Sequence, residues 1–92
     1  MITKQATVRG KVQNVGFRAY VRRKAEERGI VGMVCNVEDG SVRVVAQHTD
    51  SAAVEELMHL LYLGPGRVDS VTWADFEADP MADFSIGHTA PK

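Results

Sequence analysis

The stretch that decides the fold runs from residue 6 to residue 28 and reads ATVRGKVQNVGFRAYVRRKAEER. Its first residues, Ala6 to Arg9, alternate apolar or small side chains with polar ones, which is typical of a half-buried strand. From Phe17 to Arg28 the chain contains no glycine or proline and repeats apolar side chains at helical spacing, so it predicts a helix. Gly29 follows at a position suited to a left-handed helix cap. A turn bounded by Gly10 and Gly16 therefore joins a strand to a helix.

This turn is suited to binding an anion. Backbone N–H groups at the start of a helix have no partner within the helix, and the helix dipole is positive there. Such a turn favours phosphate or carboxylate, and Arg18 adds a fixed positive charge with a planar set of donors. An ordinary structural connection remains the alternative, since glycine is common in turns between a strand and a helix. The spacing excludes both the Gly-Lys-Ser/Thr ending of a nucleotide triphosphate loop and the Gly-x-Gly-x-x-Gly dinucleotide motif.

Length and composition indicate one small domain. The 92 residues are enough for a two-layer core, and 11 Lys and Arg against 12 Asp and Glu give a formal net charge of -1. No overall basic field attracts nucleic acid or an anionic membrane. The single cysteine, Cys35, and three dispersed histidines offer no metal-ligand spacing, so no metal or cofactor is expected. Without a membrane-length apolar run or a signal-peptide pattern, we expect a cytoplasmic monomer that acts on a small molecule.

The rest of the chain predicts the fold. Strands are expected at 30–37, 41–47 and 68–76, with a short last strand at 84–86. Asp39-Gly40 favours a hairpin between the first two of these strands, and apolar residues recur at helical spacing between them and the third. That helical stripe consists of Val54, Leu57, Met58 and Leu61. The order predicts an α+β fold in one domain spanning 1–92: a ferredoxin-like βαββαβ sandwich, with an antiparallel sheet and both helices on one face.

Asn36 is the second candidate site residue, because it lies at the end of the second strand, just before the hairpin. A neutral amide both donates and accepts hydrogen bonds, which suits it to holding a water molecule against a bound electrophile. An asparagine beside a turn can equally bond its own backbone, which is the alternative. In the predicted fold the first and second strands can be sheet neighbours, an arrangement that would bring Asn36 to the anion-binding turn.

Two segments resemble the signatures of the acylphosphatase family. The stretch from Gly10 to Arg18 resembles the family's signature loop, and residues 32–42 resemble its second signature. The likeness continues through the second helix to the terminal Phe-x-Ile, so it spans nearly the whole chain. It implies an enzyme that hydrolyses the carboxyl-phosphate bond of small acyl phosphates to carboxylate and inorganic phosphate, without metal or cofactor.

The resemblance also implies roles for individual residues. Arg18 is expected to bind the substrate phosphate, and Asn36 is expected to position the attacking water. The backbone of five consecutive residues is expected to form the phosphate cradle, together with Arg18. These five residues are Gln13, Asn14, Val15, Gly16 and Phe17.

The chain departs from the family's usual pattern at Asn14, Met33, Cys35 and His48, where a glycine, an aromatic residue, a basic residue and a glycine are usual. Asn14 lies inside the expected cradle, and asparagine tolerates a left-handed backbone better than other non-glycine residues. Cys35 alternates with Asn36 along the strand and is therefore expected on the other face of the sheet.

Two other functions remain as alternatives. The first is a non-catalytic module on the same fold that binds an anion or a metabolite. The second is an RNA-binding ferredoxin-like domain, which ranks last because the chain lacks the required motif of stacking aromatics and has no net positive charge.

Overall fold

Five strands and two helices make up the computed structural model, which describes residues 1–91. The strands are Ile2–Lys11 (β1), Val31–Asn36 (β2), Val42–His48 (β3), Arg67–Asp75 (β4) and Phe84–Ile86 (β5), and the helices are Phe17–Glu27 (α1) and Ser51–Leu61 (α2). Each element expected from the sequence is present. The largest difference is in β1, which begins four residues before the alternating pattern at Ala6 and extends two residues beyond it.

The strands form one sheet in the order β4-β1-β3-β2-β5. β3 lies at the centre and runs antiparallel to both β1 and β2, while β4 is antiparallel to β1. This arrangement confirms the ferredoxin-like sandwich, with one difference from the expected antiparallel sheet. β5 pairs with β2 in parallel, because residues 76–83 cross the sheet at the edge where β1 and β2 begin. The last strand therefore enters the sheet in the same direction as β2.

The first and second strands are not neighbours, contrary to the arrangement considered from the sequence. β3 separates them, because the hairpin after Asn36 pairs β3 directly with β2 and the crossover through α1 leaves room for one strand. Since β1 and β2 both run antiparallel to β3, their C-terminal ends still reach the same edge of the sheet. The anion-binding turn after β1 and Asn36 at the end of β2 therefore share that edge.

The hydrophobic core lies between the helices and one face of the sheet. Alternate residues of the central strands are fully buried there, including Ala6, Val8, Val42 and Val44. The apolar stripes predicted for both helices face them. These stripes are Phe17, Val21 and Ala25 on α1, and Val54, Leu57, Met58 and Leu61 on α2. Each stripe residue is at most 2% exposed, so truncating one of the larger side chains to alanine would cost about 2–5 kcal/mol of stability.

The β2–β3 hairpin is held by its own polar residues. Its three-residue turn ends at Gly40, whose φ of 95° requires the left-handed region. The Asp39 carboxylate accepts hydrogen bonds from the Ser41 hydroxyl at 2.5 Å and from the Ser41 backbone N–H at 2.9 Å. These bonds, the hydroxyl's first, lower the pKa of Asp39 from 3.8 to about 2. The turn directly after Asn36 is therefore ordered by hydrogen bonds to an ionised carboxylate.

The chain that leads to β5 is attached to the end of β3 on the opposite face of the sheet. Gln47 on β3 is 1% exposed, and its side-chain amide donates to the backbone oxygen of Asp79 and accepts from the N–H of Met81, both at 2.9 Å. Cys35 is also buried on this side, 2% exposed, as its alternation with Asn36 predicts. One buried glutamine thus attaches the crossing segment to the end of the central strand.

Candidate active site

The turn between β1 and α1 leaves its backbone donors unpaired. Asn14 has a φ of 61° and Gly16 a φ of 83°, so both adopt the left-handed conformation. Gly16 is the N-cap of α1, and no side chain caps the helix. The first bond within the helix runs from the Tyr20 N–H to the Gly16 oxygen at 3.1 Å. Within residues 1–91, the N–H groups of residues 13–19 donate to no carbonyl or side chain.

Unpaired N–H groups in such a turn are suited to an anion. Left-handed residues within a turn direct neighbouring N–H groups toward one concavity, which is a recurrent way of binding phosphate. The positive end of the α1 dipole adds to this field, and Arg18 lies in the first turn of the helix. Asn14 adopts the left-handed conformation that asparagine tolerates better than other non-glycine residues, although glycine is the family's usual residue at that position.

A cavity of about 180 Å³ opens at this turn. Its lining consists of Val12, Asn14, Gly16, Phe17, Arg18, Ala19 and Ile86. Four of the six residues expected to bind phosphate therefore line it, and Gln13 and Val15 do not. Val15 packs instead against the core. The side chain of Gln13 points toward the β2–β3 hairpin.

Gln13 connects the cradle to the strand pair that carries Asn36. Its Nε2 donates to the backbone oxygen of Val37 at 2.7 Å and to that of Ser41 at 2.9 Å. These two carbonyls flank the hairpin turn. The sequence identified Gln13 as a cradle residue but not this connection, because its partners are 24 and 28 residues away along the chain. We infer that Gln13 fixes the position of the loop relative to Asn36.

The loop that follows α2 supports the cradle from another side. A Cβ atom on Gly64 would lie 2.5 Å from the Phe17 ring, and one on Gly66 would lie 2.1 Å from the Lys11 oxygen and 2.8 Å from Val15. Gly66 also has a φ of 84°. The sequence indicated only a helix break at Gly64-Pro65-Gly66. The observed contacts show that these glycines allow the loop to approach the cradle closely.

Asn36 lies at the end of β2 on the face covered by the helices, two residues after the core residue Val34. Asn36 is 8% exposed, and its Oδ1 is buried without a hydrogen-bond partner within residues 1–91. A buried acceptor left unpaired costs about 1–3 kcal/mol, so its retention calls for an explanation. Oδ1 makes none of the local backbone bonds that the turn alternative requires, and it does not line the cavity. Asn36 therefore lies at the same edge of the sheet as the cavity but outside its lining.

The described part of the chain contains neither a metal-binding cluster nor a membrane-spanning helix. Residues 1–91 contain no group of three or more His, Cys, Asp or Glu side chains placed to hold a metal ion. Neither helix in that range has the length and apolar character needed to cross a membrane.

Fold and site together define a small α+β protein with a run of unpaired N–H groups and a cavity at the start of its first helix. Residues 4–86 match the family model described as acylphosphatase. The chain belongs to the acylphosphatase family, as its two signature-like segments predict.

Individual relatives give the same assignment. An acylphosphatase from Frankia casuarinae is 43% identical over 88 residues, covering 91% of this chain and 97% of the relative, and one from Thermobifida fusca is 53% identical over 68 residues, covering 72% and 74%. Among solved structures, an acylphosphatase from Coxiella burnetii is 35% identical with a TM-score of 0.87, covering 94% of this chain and 92% of its own. One from Bacillus subtilis is 28% identical with a TM-score of 0.90, covering 95% and 99%.

Replacing Asn14 with glycine tests whether the cradle depends on this side chain. Asn14 has a positive φ, so glycine relieves backbone strain, while the added freedom of the unfolded chain costs at most about 1 kcal/mol. We expect Asn14→Gly to hydrolyse benzoyl phosphate at least as fast as the wild-type protein in a phosphate-release assay. A variant that folds normally but loses turnover would show that the asparagine side chain contributes to binding or to the shape of the loop.

Proposed function

We propose that this protein hydrolyses the carboxyl-phosphate bond of small acyl phosphates, with the substrate phosphate bound in the turn between β1 and α1. The proposal rests on the run of unpaired N–H groups at residues 13–19, in a chain that belongs to the acylphosphatase family. Arg18, within this run, lines the cavity. These donors match the equatorial oxygens of a phosphoryl group during transfer, where charge is spread over those oxygens. The products are a carboxylate and inorganic phosphate.

Arg18 and Asn36 have separate tasks in the proposed mechanism. Arg18 lines the cavity and supplies a guanidinium whose donor geometry matches two phosphate oxygens. Asn36 uses its unpaired amide to orient a water molecule for attack at phosphorus. As the new P–O bond forms, the bond between phosphorus and the acyl oxygen breaks, and the carboxylate leaves with the electron pair.

The proton of the attacking water is transferred to the substrate itself. Within residues 1–91, the cavity lining contains no carboxylate, histidine or thiol that could act as a general base. A carboxylate is a good leaving group, so the reaction does not need a strong base. A nonbridging phosphate oxygen accepts the proton, and phosphate departs in its protonated form.

The proposal also covers the alternative function, the location, the oligomeric state and the partners of the protein. The alternative of a non-catalytic anion-binding module is not favoured, since the family relatives bear the name of an enzyme. Action as a cytoplasmic monomer on a small acyl phosphate, without nucleic acid or membrane as a partner, stays a prediction. The direct test is release of inorganic phosphate from benzoyl phosphate by the purified protein, compared with spontaneous hydrolysis. A non-catalytic module would bind phosphate and leave that rate unchanged.

Removing the Arg18 guanidinium tests the phosphate site. We expect Arg18→Ala to lower kcat/KM by about 10²-fold or more, since it removes a charge-assisted contact to the transferring group. Arg18→Lys should recover little of this loss, because an ammonium cannot make the paired contact. The matched control is Arg22→Ala. Arg22 lies one turn further along α1 and forms an exposed ion pair with Glu26, so this variant should retain normal turnover. Near-normal hydrolysis by Arg18→Ala would remove this cavity from consideration.

Replacing Asn36 separates water positioning from phosphate binding. We expect Asn36→Ala to lower kcat by about 10²-fold or more and to leave inhibition by inorganic phosphate unchanged. Its thermal stability should not fall through lost hydrogen bonds, because Oδ1 makes none within the described residues. A change confined to phosphate affinity would show that Asn36 binds the anion.

Strong chelators and thiol reagents test the absence of a metal and of a catalytic cysteine. We expect neither to reduce turnover, because Cys35 is buried and lies on the face of the sheet opposite Asn36. Chelator-sensitive activity that a divalent metal restores would contradict the proposed mechanism. Inactivation by a thiol reagent in the wild type, but not in Cys35→Ala, would place the thiol close to the site.

A further inference from the structure

The cavity lining combines polar groups with apolar side chains. Backbone donors and Arg18 form the part of its lining that suits the phosphate. Val12, Phe17, Ala19 and Ile86 contribute apolar side chains to the same lining, and of these only Ala19 and Ile86 are exposed to solvent. Ile86 is 39% exposed, so a substantial part of its apolar side chain can contact a ligand in the cavity. An apolar side chain kept in contact with solvent beside a polar cradle is available to a second part of the ligand.

The parallel pairing of β5 brings Ile86 to this place. Gly32 pairs with Phe84 and Val34 pairs with Ile86, so Ile86 lies on the helix-covered face, as Phe84 and Val34 do. Phe84 is 2% exposed and anchors the strand in the core. The hydrogen bond from the Gly87 N–H to the Val34 oxygen, at 2.9 Å, fixes the end of the strand. Because β5 runs in the same direction as β1, Ile86 reaches the edge where the cradle lies.

Ile86 is exposed at a place where the acyl group of a substrate would make apolar contact. An acyl phosphate joins a dianionic phosphoryl group to an acyl group of variable size. Once the cradle and Arg18 hold the phosphoryl group, the acyl group must occupy the remaining part of the cavity or its mouth. Ala19 and Ile86 line the same cavity of about 180 Å³ as the cradle residues, so they are the exposed apolar side chains that an acyl group held there can contact.

We propose that Ile86, together with Ala19, is an acyl-binding wall that selects acyl phosphates with an aryl or branched-alkyl body over acetyl phosphate. The inference rests on the proposed function and adds the part of the substrate that the phosphate cradle does not recognise. Apolar contact of this kind contributes in proportion to the area removed from water, so a half-open wall discriminates by several-fold and not by orders of magnitude. The effect belongs to substrate selection, and phosphate binding is independent of it.

The test compares kcat/KM for benzoyl phosphate and acetyl phosphate in the wild type and in Ile86→Thr. Threonine keeps the β-branched shape that suits a strand and replaces apolar surface with a hydroxyl. We expect the benzoyl-to-acetyl ratio to fall about five-fold, with acetyl phosphate turnover within about two-fold of wild type. Inhibition by inorganic phosphate should be unchanged. The different intrinsic reactivities of the two substrates cancel when the ratio is compared between proteins.

Two further variants complete the experiment. Leu63→Thr changes another exposed aliphatic residue, 73% exposed and outside the cavity lining, and should leave the ratio as in the wild type. Ala19→Gln replaces the other apolar residue of the wall with a polar amide. Ala19 is an exposed position in α1, and glutamine is a good helix former, so the helix should tolerate the change. It should also lower the ratio, and it provides the test if Ile86→Thr does not fold.

The outcomes separate this inference from the function on which it rests. If the wild type hydrolyses neither substrate, the proposed function fails. If the wild type hydrolyses both and the ratio is the same in Ile86→Thr and Ala19→Gln, the acyl wall is wrong while the proposed function stands. An equal loss for both substrates, accompanied by weaker inhibition by phosphate, would also overturn the inference, because Ile86 would then only support the cradle.

Discussion

The central position of β3 is the constraint on which the rest of the structure depends. Because β1 and β2 each pair with β3 in antiparallel fashion, both must run in the same direction and end at the same edge of the sheet. β5 then joins β2 in parallel and ends at that edge as well. The phosphate cradle, Asn36 and Ile86 are each located at or just beyond the end of one of these strands. The shared direction of these strands therefore brings residues from three separate parts of the chain to one edge of the sheet.

Much of this arrangement could be predicted from local signals. The glycine-bounded turn, the apolar stripes of both helices and the Asp39-Gly40 hairpin are each encoded within a few residues, and each is present. The position of Asn36 followed from the predicted end of a strand. The parallel pairing of β5 was missed because only the path of residues 76–83 across the sheet sets its direction, and sequence periodicity carries no information about that path.

The supporting contacts of the site were missed for the same reason. From the sequence, Gln13 is one residue of the expected cradle like any other. In the fold, its side-chain amide reaches the carbonyls of Val37 and Ser41. Gly64 resembles a helix breaker until the Phe17 ring is found where a Cβ would lie. Such roles depend on residues far apart in the chain, so they can be recognised only once the register of the sheet is known. The candidate site residues Arg18 and Asn36 could be proposed from the sequence, whereas the contacts that hold the loop beside them could not.

A cradle built from main-chain N–H groups has a consequence for how the enzyme responds to acidity. Peptide N–H groups do not gain or lose protons in the range where proteins stay folded, and arginine keeps its charge throughout that range. Within residues 1–91, Arg18 is the only ionisable side chain in the cavity lining. The lining given by the described residues thus holds no carboxylate, histidine or thiol that could take up or release a proton. In the proposed reaction, sensitivity to acidity in the binding step belongs to the phosphoryl group of the substrate, so the ligand, and not the cavity lining, acts as the sensor.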